Sequence, residues 1–141
     1  MMTTDTFQKQ SMRQTELGGK LVTVAGAAKG AAMIAPNMAT MLAVVTTDAA
    51  LFEAEADAML REAVDRSFNC ISVEGHTSTS DSVILLASGA AENGLLDDQG
   101  GIQLQKMLNE VTEQLAMAII RDAEGAGHFI TVDVCGLATR A

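Results

Sequence analysis

Met41-Leu42-Ala43-Val44-Val45 is an apolar run with β-branched residues, and the sequence after it changes period. Phe52, Ala56, Met59, Leu60, Ala63, Val64 and Phe68 recur at helical spacing, while Glu53, Glu55, Asp57, Arg61 and Glu62 fall largely on other faces. The reading is a strand that gives way to an amphipathic helix, with Asp48 as the expected N-cap. C-terminal to it, Asn69 to Val73 leads into a polar loop, Glu74 to Asp81. Val83-Ile84-Leu85-Leu86-Ala87 is a continuous apolar run suited to a strand buried on both faces. Gly89, Asn93-Gly94 and Gly100-Gly101 punctuate the next loop. Leu104, Met107, Leu108, Val111, Leu115, Ala118 and Ile119 make one apolar stripe, predicting a second helix that stops near Glu124-Gly125-Ala126-Gly127. Ile130, Val132 and Val134 alternate with Thr131, Asp133 and Cys135, predicting a last strand. N-terminal to the opening run, Lys20 to Ala25 reads as a strand, and residues 1–19 fit either a helix or a loose arm. The expected order is β-β-α-β-α-β. The expected class is α/β (α+β), with helices layered on a mixed sheet, and residues 1–141 read as one domain.

Composition narrows the function classes. Of 141 residues, 48% are apolar, so a hydrophobic core needs neither disulfides nor metal. The formal net charge of -9 opposes binding to nucleic acid or to anionic membranes, which repel it. Trp and Tyr are absent and only four Phe occur, which argues against base-stacking platforms. Cys70 and Cys135 have no zinc spacing; a disulfide between them is possible in principle, but they read better as two small buried apolar residues. Met1 to Thr6 has no basic start followed by an apolar run, and no stretch reaches membrane-spanning length. The expectation is a soluble cytoplasmic protein.

Local motifs taken alone are weak. The small-residue stretch Gly26-Ala27-Ala28-Lys29-Gly30-Ala31-Ala32 lacks the ending of a phosphate-binding P-loop and lacks the dinucleotide fingerprint. It reads better as a close backbone crossing where side chains must be small. His76, near Glu74 and Asp81, matches no metal-ligand spacing, so no metal and no cofactor is expected. The Ser and Thr residues around it suit backbone capping in a loop, and His128 suits a structural or exposed role.

One segment carries more information. Lys29-Gly30-Ala31-Ala32-Met33-Ile34-Ala35-Pro36-Asn37-Met38-Ala39-Thr40-Met41-Leu42 resembles the self-cleavage motif of the ornithine acetyltransferase family, close to K-G-S-G-M-I-x-P-N-M-A-T-M-L. Thr46-Thr47-Asp48-Ala49, Ser67-Phe68-Asn69 and Thr77-Ser78-Thr79-Ser80-Asp81-Ser82 resemble further family segments. Arg121-Asp122-Ala123-Glu124-Gly125-Ala126 is similar to the family's R-D-G-E-G-A, and Thr4-Asp5-Thr6 with Lys9 is similar to its T-D-T-P-K. The similarity spans essentially the whole chain.

The resemblance implies part of an N-terminal-nucleophile-like α-β-β-α fold, cleaved between Ala39 and Thr40. It implies Thr40 as the nucleophile, with Lys29 contributing to the site and Glu124 holding the substrate's ammonium group. The implied reaction is glutamate N-acetyltransfer from N-acetylornithine to glutamate through an acetyl-threonine, in arginine biosynthesis. No acetyl-coenzyme A is required for that cycle.

Ala31-Ala32 stand where the family has S-G, and Gly127-His128 where it has T-K. The family's long segment before the motif and its C-terminal domain have no counterpart in this sequence. The first normally supplies oxyanion donors, each worth on the order of 10²–10³ in rate. A layer without its cover exposes apolar surface and favours association, so a homo-oligomer, or a partner chain supplying the missing half, is expected. Three readings stay open: a working acetyltransferase, a truncated and uncleaved homologue that only folds and oligomerises, and an N-terminal-nucleophile hydrolase acting on another small amide.

Overall fold

A computed structural model of the chain describes residues 2, 5–30, 41–73, 80–123, 125 and 127–136. Its elements are β1 (Lys9–Leu17), β2 (Lys20–Lys29), β3 (Leu42–Thr47), α1 (Glu53–Arg66), β4 (Ser82–Ala87) and α2 (Asp98–Arg121), with a single 3-10 turn at Phe68–Cys70 after α1. The four strands form one mixed sheet in the order β1-β2-β3-β4. β1 and β2, and β2 and β3, are antiparallel, whereas β3 and β4 are parallel. The parallel pair needs a crossover, and α1 supplies it. This is an α+β layer, as expected, although the element order begins with a third antiparallel strand.

That strand is β1, where the sequence suggested a helix or a loose arm. The inward positions of β1 are Lys9, Ser11, Arg13, Thr15 and Leu17, which are mostly polar, so apolar periodicity does not reveal it. The polar inner face is met by polar partners on α2. Ser11 Oγ donates to Gln114 Oε1 at 2.7 Å, and Arg13 Nε donates to Glu110 Oε2 at 2.8 Å. Gly18 and Gly19, with φ of 58° and 74°, close a two-residue hairpin from Leu17 to Lys20. Both positive φ values match the turn that follows strand twist.

The core lies on one face of the sheet. Val22, Val24 and Ala28 of β2 and Ala43 and Val45 of β3 pack beneath Leu104, Leu108, Val111, Leu115 and Ile119 of α2, with Ala63 of α1 alongside. Gly26 lets α2 approach closely: a Cβ there would sit 2.9 Å from Leu115 Cδ1 and 3.2 Å from Val111 Cγ1. Gly26, within the small-residue stretch, thus marks a close crossing.

Five other expectations are corrected. Asp48 does not cap α1; its Oδ1 accepts the Thr23 N–H at 2.7 Å and ties the end of β3 to β2. The helix starts at Glu53 with Phe52 at the N-cap position, where Glu55 Oε2 accepts the Phe52 N–H at 3.0 Å. Gly100 and Gly101 belong to the first turn of α2, because Asp97 caps it by accepting from Gly100 N at 2.7 Å. β4 is an edge strand: Val83 and Leu85 pack on the core, but Ile84 and Leu86 are exposed on the opposite face. Residues 127–136 form no strand, and Ile130, Val132 and Val134 are exposed. An alternating run becomes a strand only when another backbone pairs with it, and no described strand does so. Cys70 and Cys135 are likewise exposed free thiols rather than buried residues, one in the turn after α1 and one in that unpaired tail.

Among the described residues, nothing covers the face of the sheet away from the helices. Met12, Leu21, Ile84 and Leu86 are exposed there, with Leu42 and Val44 half-buried between them. Lys29 belongs to this same face, since its neighbour Ala28 points into the core and side chains alternate along a strand. Among the described residues, no helix is long and apolar enough to cross a membrane.

Candidate active site

The candidate residues belong to segments that end at one corner of the layer. β2 finishes at Lys29 and β3 begins at Leu42, and these two residues are paired across the ladder. Residues 31–40 connect them, so the chain enters and leaves the Ala39-Thr40 segment at this edge. Ala39, Thr40 and Glu124 lie outside the described residues. Lys29 is described and half-buried. Gly30 and Met41, which bracket the connection, lie together: a Cβ on Gly30 would be 3.8 Å from Met41 Cα. The same Cβ would be 3.7 Å from Ile119 Cγ2, in the last turn of α2. That helix ends at Arg121, three residues before Glu124.

A buried ion cluster holds this corner. Lys9 Nζ donates to Asp5 Oδ1 at 2.6 Å and also to Asp122 Oδ2. The three side chains are 0%, 1% and 2% accessible for Lys9, Asp5 and Asp122, so water does not screen them. Thr6 donates to Asp122 through its N–H, at 3.0 Å to Oδ2, and through its hydroxyl to Oδ1. Asp5 Oδ1 also accepts the Gly30 N–H at 2.9 Å. The Phe7 ring lies 5.0 Å from Lys9 Nζ, a cation–π distance. Burial pushes the Asp122 carboxyl up, but hydrogen bonds from Lys9 and Thr6 outweigh it and hold the group below the usual carboxylate range.

The other flank is pinned by Asp81. Its Oδ1 accepts the Met41 N–H at 2.9 Å, and Met41 O accepts the Ser82 N–H at 3.0 Å. The residue directly after Thr40 is therefore fixed to the start of β4. Asp5, Lys9, Asp81 and Asp122 all stand in segments singled out in the sequence, yet none has a role assigned from sequence alone. Their signal was adjacency: each lies in a motif that also contributes to this corner.

The sequence as a whole matches the ArgJ family model over residues 1–141. The chain belongs to the ArgJ family. It is 51% identical over 139 residues to the arginine biosynthesis bifunctional protein ArgJ of Listeria monocytogenes, covering 96% of this chain and 35% of that protein. It is 49% identical over 138 residues to the ArgJ of Geobacter sulfurreducens, with the same coverage. The chain thus spans about a third of the length of these curated relatives. Among solved structures it resembles the ArgJ of Bacillus halodurans, with a TM-score of 0.57 and 40% identity over 60% of this chain and 40% of that one. The layer also resembles an L-aminopeptidase D-Ala-esterase/amidase from Ochrobactrum anthropi, reported as a new variant among the Ntn hydrolase fold. There the TM-score is 0.57 at 12% identity, over 85% of this chain and 42% of that one, a likeness of fold alone. Among the described residues, no group of three or more His, Cys, Asp or Glu could hold a metal ion.

Proposed function

We propose that this ArgJ-family chain carries the nucleophile of an acetyl transfer from N-acetylornithine to glutamate. The observation that supports it is the convergence of Lys29-Gly30, Met41 and the end of α2 on one corner. In this reading the Thr40 hydroxyl adds to the Ala39 carbonyl and the Ala39-Thr40 C–N bond breaks. The acyl group passes to oxygen, and water hydrolyses the ester. Ala39 leaves as a carboxylate and Thr40 becomes a chain start with a free α-amine. That amine, with a pKa of roughly 8, takes the proton of its own hydroxyl as the oxygen attacks the acetyl carbonyl of N-acetylornithine. Ornithine departs with the proton. The amine of glutamate then attacks the acetyl ester, giving N-acetylglutamate and restoring the hydroxyl. Lys29 binds a substrate carboxylate or tunes the nucleophile, and Glu124 pairs with the ornithine ammonium.

The uncovered sheet face supports a homo-oligomer, because an apolar strip of this kind is unfavourable in water. It also supports the alternative in which the chain folds and associates but turns nothing over. Two measurements separate these readings. Intact-mass spectrometry should find the 1–39 and 40–141 pieces in the wild type and one uncut chain in Thr40→Ala. A coupled assay should find ornithine released from N-acetylornithine beyond one equivalent per chain only when glutamate is present, and none when Thr40 is replaced. A wild-type chain that stays whole and silent in both removes the acetyl-transfer reading.

A further inference from the structure

We infer that Asp5 is a positioning residue for the self-cleavage corner, acting through the amide of Gly30. The inference rests on the cleavage reading above, but its geometry stands apart from it. A buried carboxylate oxygen here serves two donors at once, the Lys9 ammonium and the Gly30 N–H, at 2.6 and 2.9 Å. Lys9 is in turn held by Asp122, just past the end of α2. The cluster therefore joins the N-terminal segment to the exit of β2 through Asp5 Oδ1 and to the exit of α2 through Lys9 Nζ. Structural ion pairs need only each other. This one spends an acceptor on the single backbone amide between Lys29 and the connection to Thr40.

The chemistry at stake is steric alignment. Gly30 is the hinge where β2 stops, with φ of 152°, and the connection to Thr40 starts at the next residue. Holding its N–H fixes the direction in which the chain leaves the sheet. On the far side, the hydrogen bond from Met41 N–H to Asp81 fixes the direction in which it returns. An intramolecular attack by a hydroxyl on the preceding carbonyl depends steeply on such alignment, and a displacement of about 1 Å can cost on the order of 10²-fold in rate. Asp5 touches neither reacting group and acts only through the backbone.

A pair of variants tests this. Asp5→Ala removes both the ion pair and the acceptor for Gly30. Asp5→Asn removes the charge but keeps a carbonyl oxygen that can accept from both Lys9 and Gly30. Both should lower Tm. Only Asp5→Ala should slow the appearance of the 40–141 piece, by about tenfold or more, and only it should speed amide exchange at Gly30, by about tenfold or more. Cleavage that falls in step with Tm in both variants would show a purely structural pair and overturn the inference. A wild type that never cleaves defeats the proposed function instead; the Gly30 exchange comparison then still decides whether Asp5 holds that amide. Equal Gly30 exchange in wild type and Asp5→Ala overturns the inference whatever the cleavage result.

Discussion

Replacing Lys9 by Met isolates the energetics of the buried cluster. The side chain is inaccessible to water and lies between two carboxylates that are almost as buried. Met fills a similar volume, so packing is largely kept while the charge goes. Two carboxylates then remain buried without the lysine's charge, although Thr6 still donates to Asp122 and Gly30 to Asp5. Breaking a buried pair by removing one partner costs about 3–5 kcal/mol, and a domain of this kind has about 5–15 kcal/mol in all. At about 3 °C per kcal/mol, the melting point should fall by roughly 10–15 °C. The pH dependence is the sharper signature. The folded-state pKa of Asp122 is depressed, so its contribution is fully present above the unfolded value of about 3.9 and is lost as pH falls through the folded one. The wild type should therefore lose stability on acidification below about pH 4. The Lys9→Met deficit should be largest near neutrality and should shrink in acid, where protonated carboxyls no longer need the lysine. Urea unfolding followed by circular dichroism from pH 3 to pH 7 measures both. A deficit under about 1 kcal/mol at pH 7, or one that does not change with pH, would refute the reasoning.

Other perturbations carry smaller or more local expectations. Gly18→Ala should destabilise by more than a typical surface change, because φ is +58° and the new Cβ would lie 2.9 Å from the Asn93 carbonyl oxygen; about 1–3 kcal/mol in urea unfolding is expected. Asp97→Ala removes the acceptor for Gly100 N–H at the start of α2 and should cost about 1 kcal/mol in the same assay. Arg13→Ala should cost no more than about 1 kcal/mol, since Arg13 and Glu110 are 33% and 39% accessible and water screens their pair. Leu86→Lys places a charge on the uncovered sheet face and should weaken self-association while leaving the melting point of the layer nearly unchanged; light scattering that finds the same mass in both forms would count against an interface there.

What the sequence revealed follows from where periodicity operates. α2 was legible because Leu104, Leu108, Val111 and Leu115 face a sheet along its whole length, and a helix pressed on a flat apolar face must show a stripe. β3 was legible for the related reason that Ala43 and Val45 lie in the middle of the layer. β1 was not, because the edge it forms is held to α2 by Ser11–Gln114 and Arg13–Glu110, and patterns of apolar spacing are blind to polar contacts. The tail at 130–135 failed in the opposite direction. Its alternation is real, but alternation records only which face a residue would turn to a partner, and strand formation needs the partner's backbone as well. The same limit explains why β4 seemed buried on both sides: Ile84 and Leu86 carry the composition of a covered strand on a face that nothing covers among the described residues.

The candidate site was legible by a different route. Its residues stand where elements end, at Lys29 closing β2, at Leu42 opening β3 and just beyond Arg121 closing α2. At element ends neither the period of 3.6 nor that of 2 constrains the residue type, so composition is silent and only a specific motif speaks. The cluster beneath it was hidden for a further reason. A lysine and two aspartates in a chain of net charge -9 read as solvated surface until the fold sets Lys9 against a carboxylate 113 positions away. Burying three charges is costly unless they satisfy one another, and a single Lys–Asp pair would have met that condition at this spot. The second carboxylate, Asp5, also turns its oxygen to the Gly30 amide. That bond links the cluster to the chain leading to Thr40, and is the reason to look for its effect in cleavage as well as in stability.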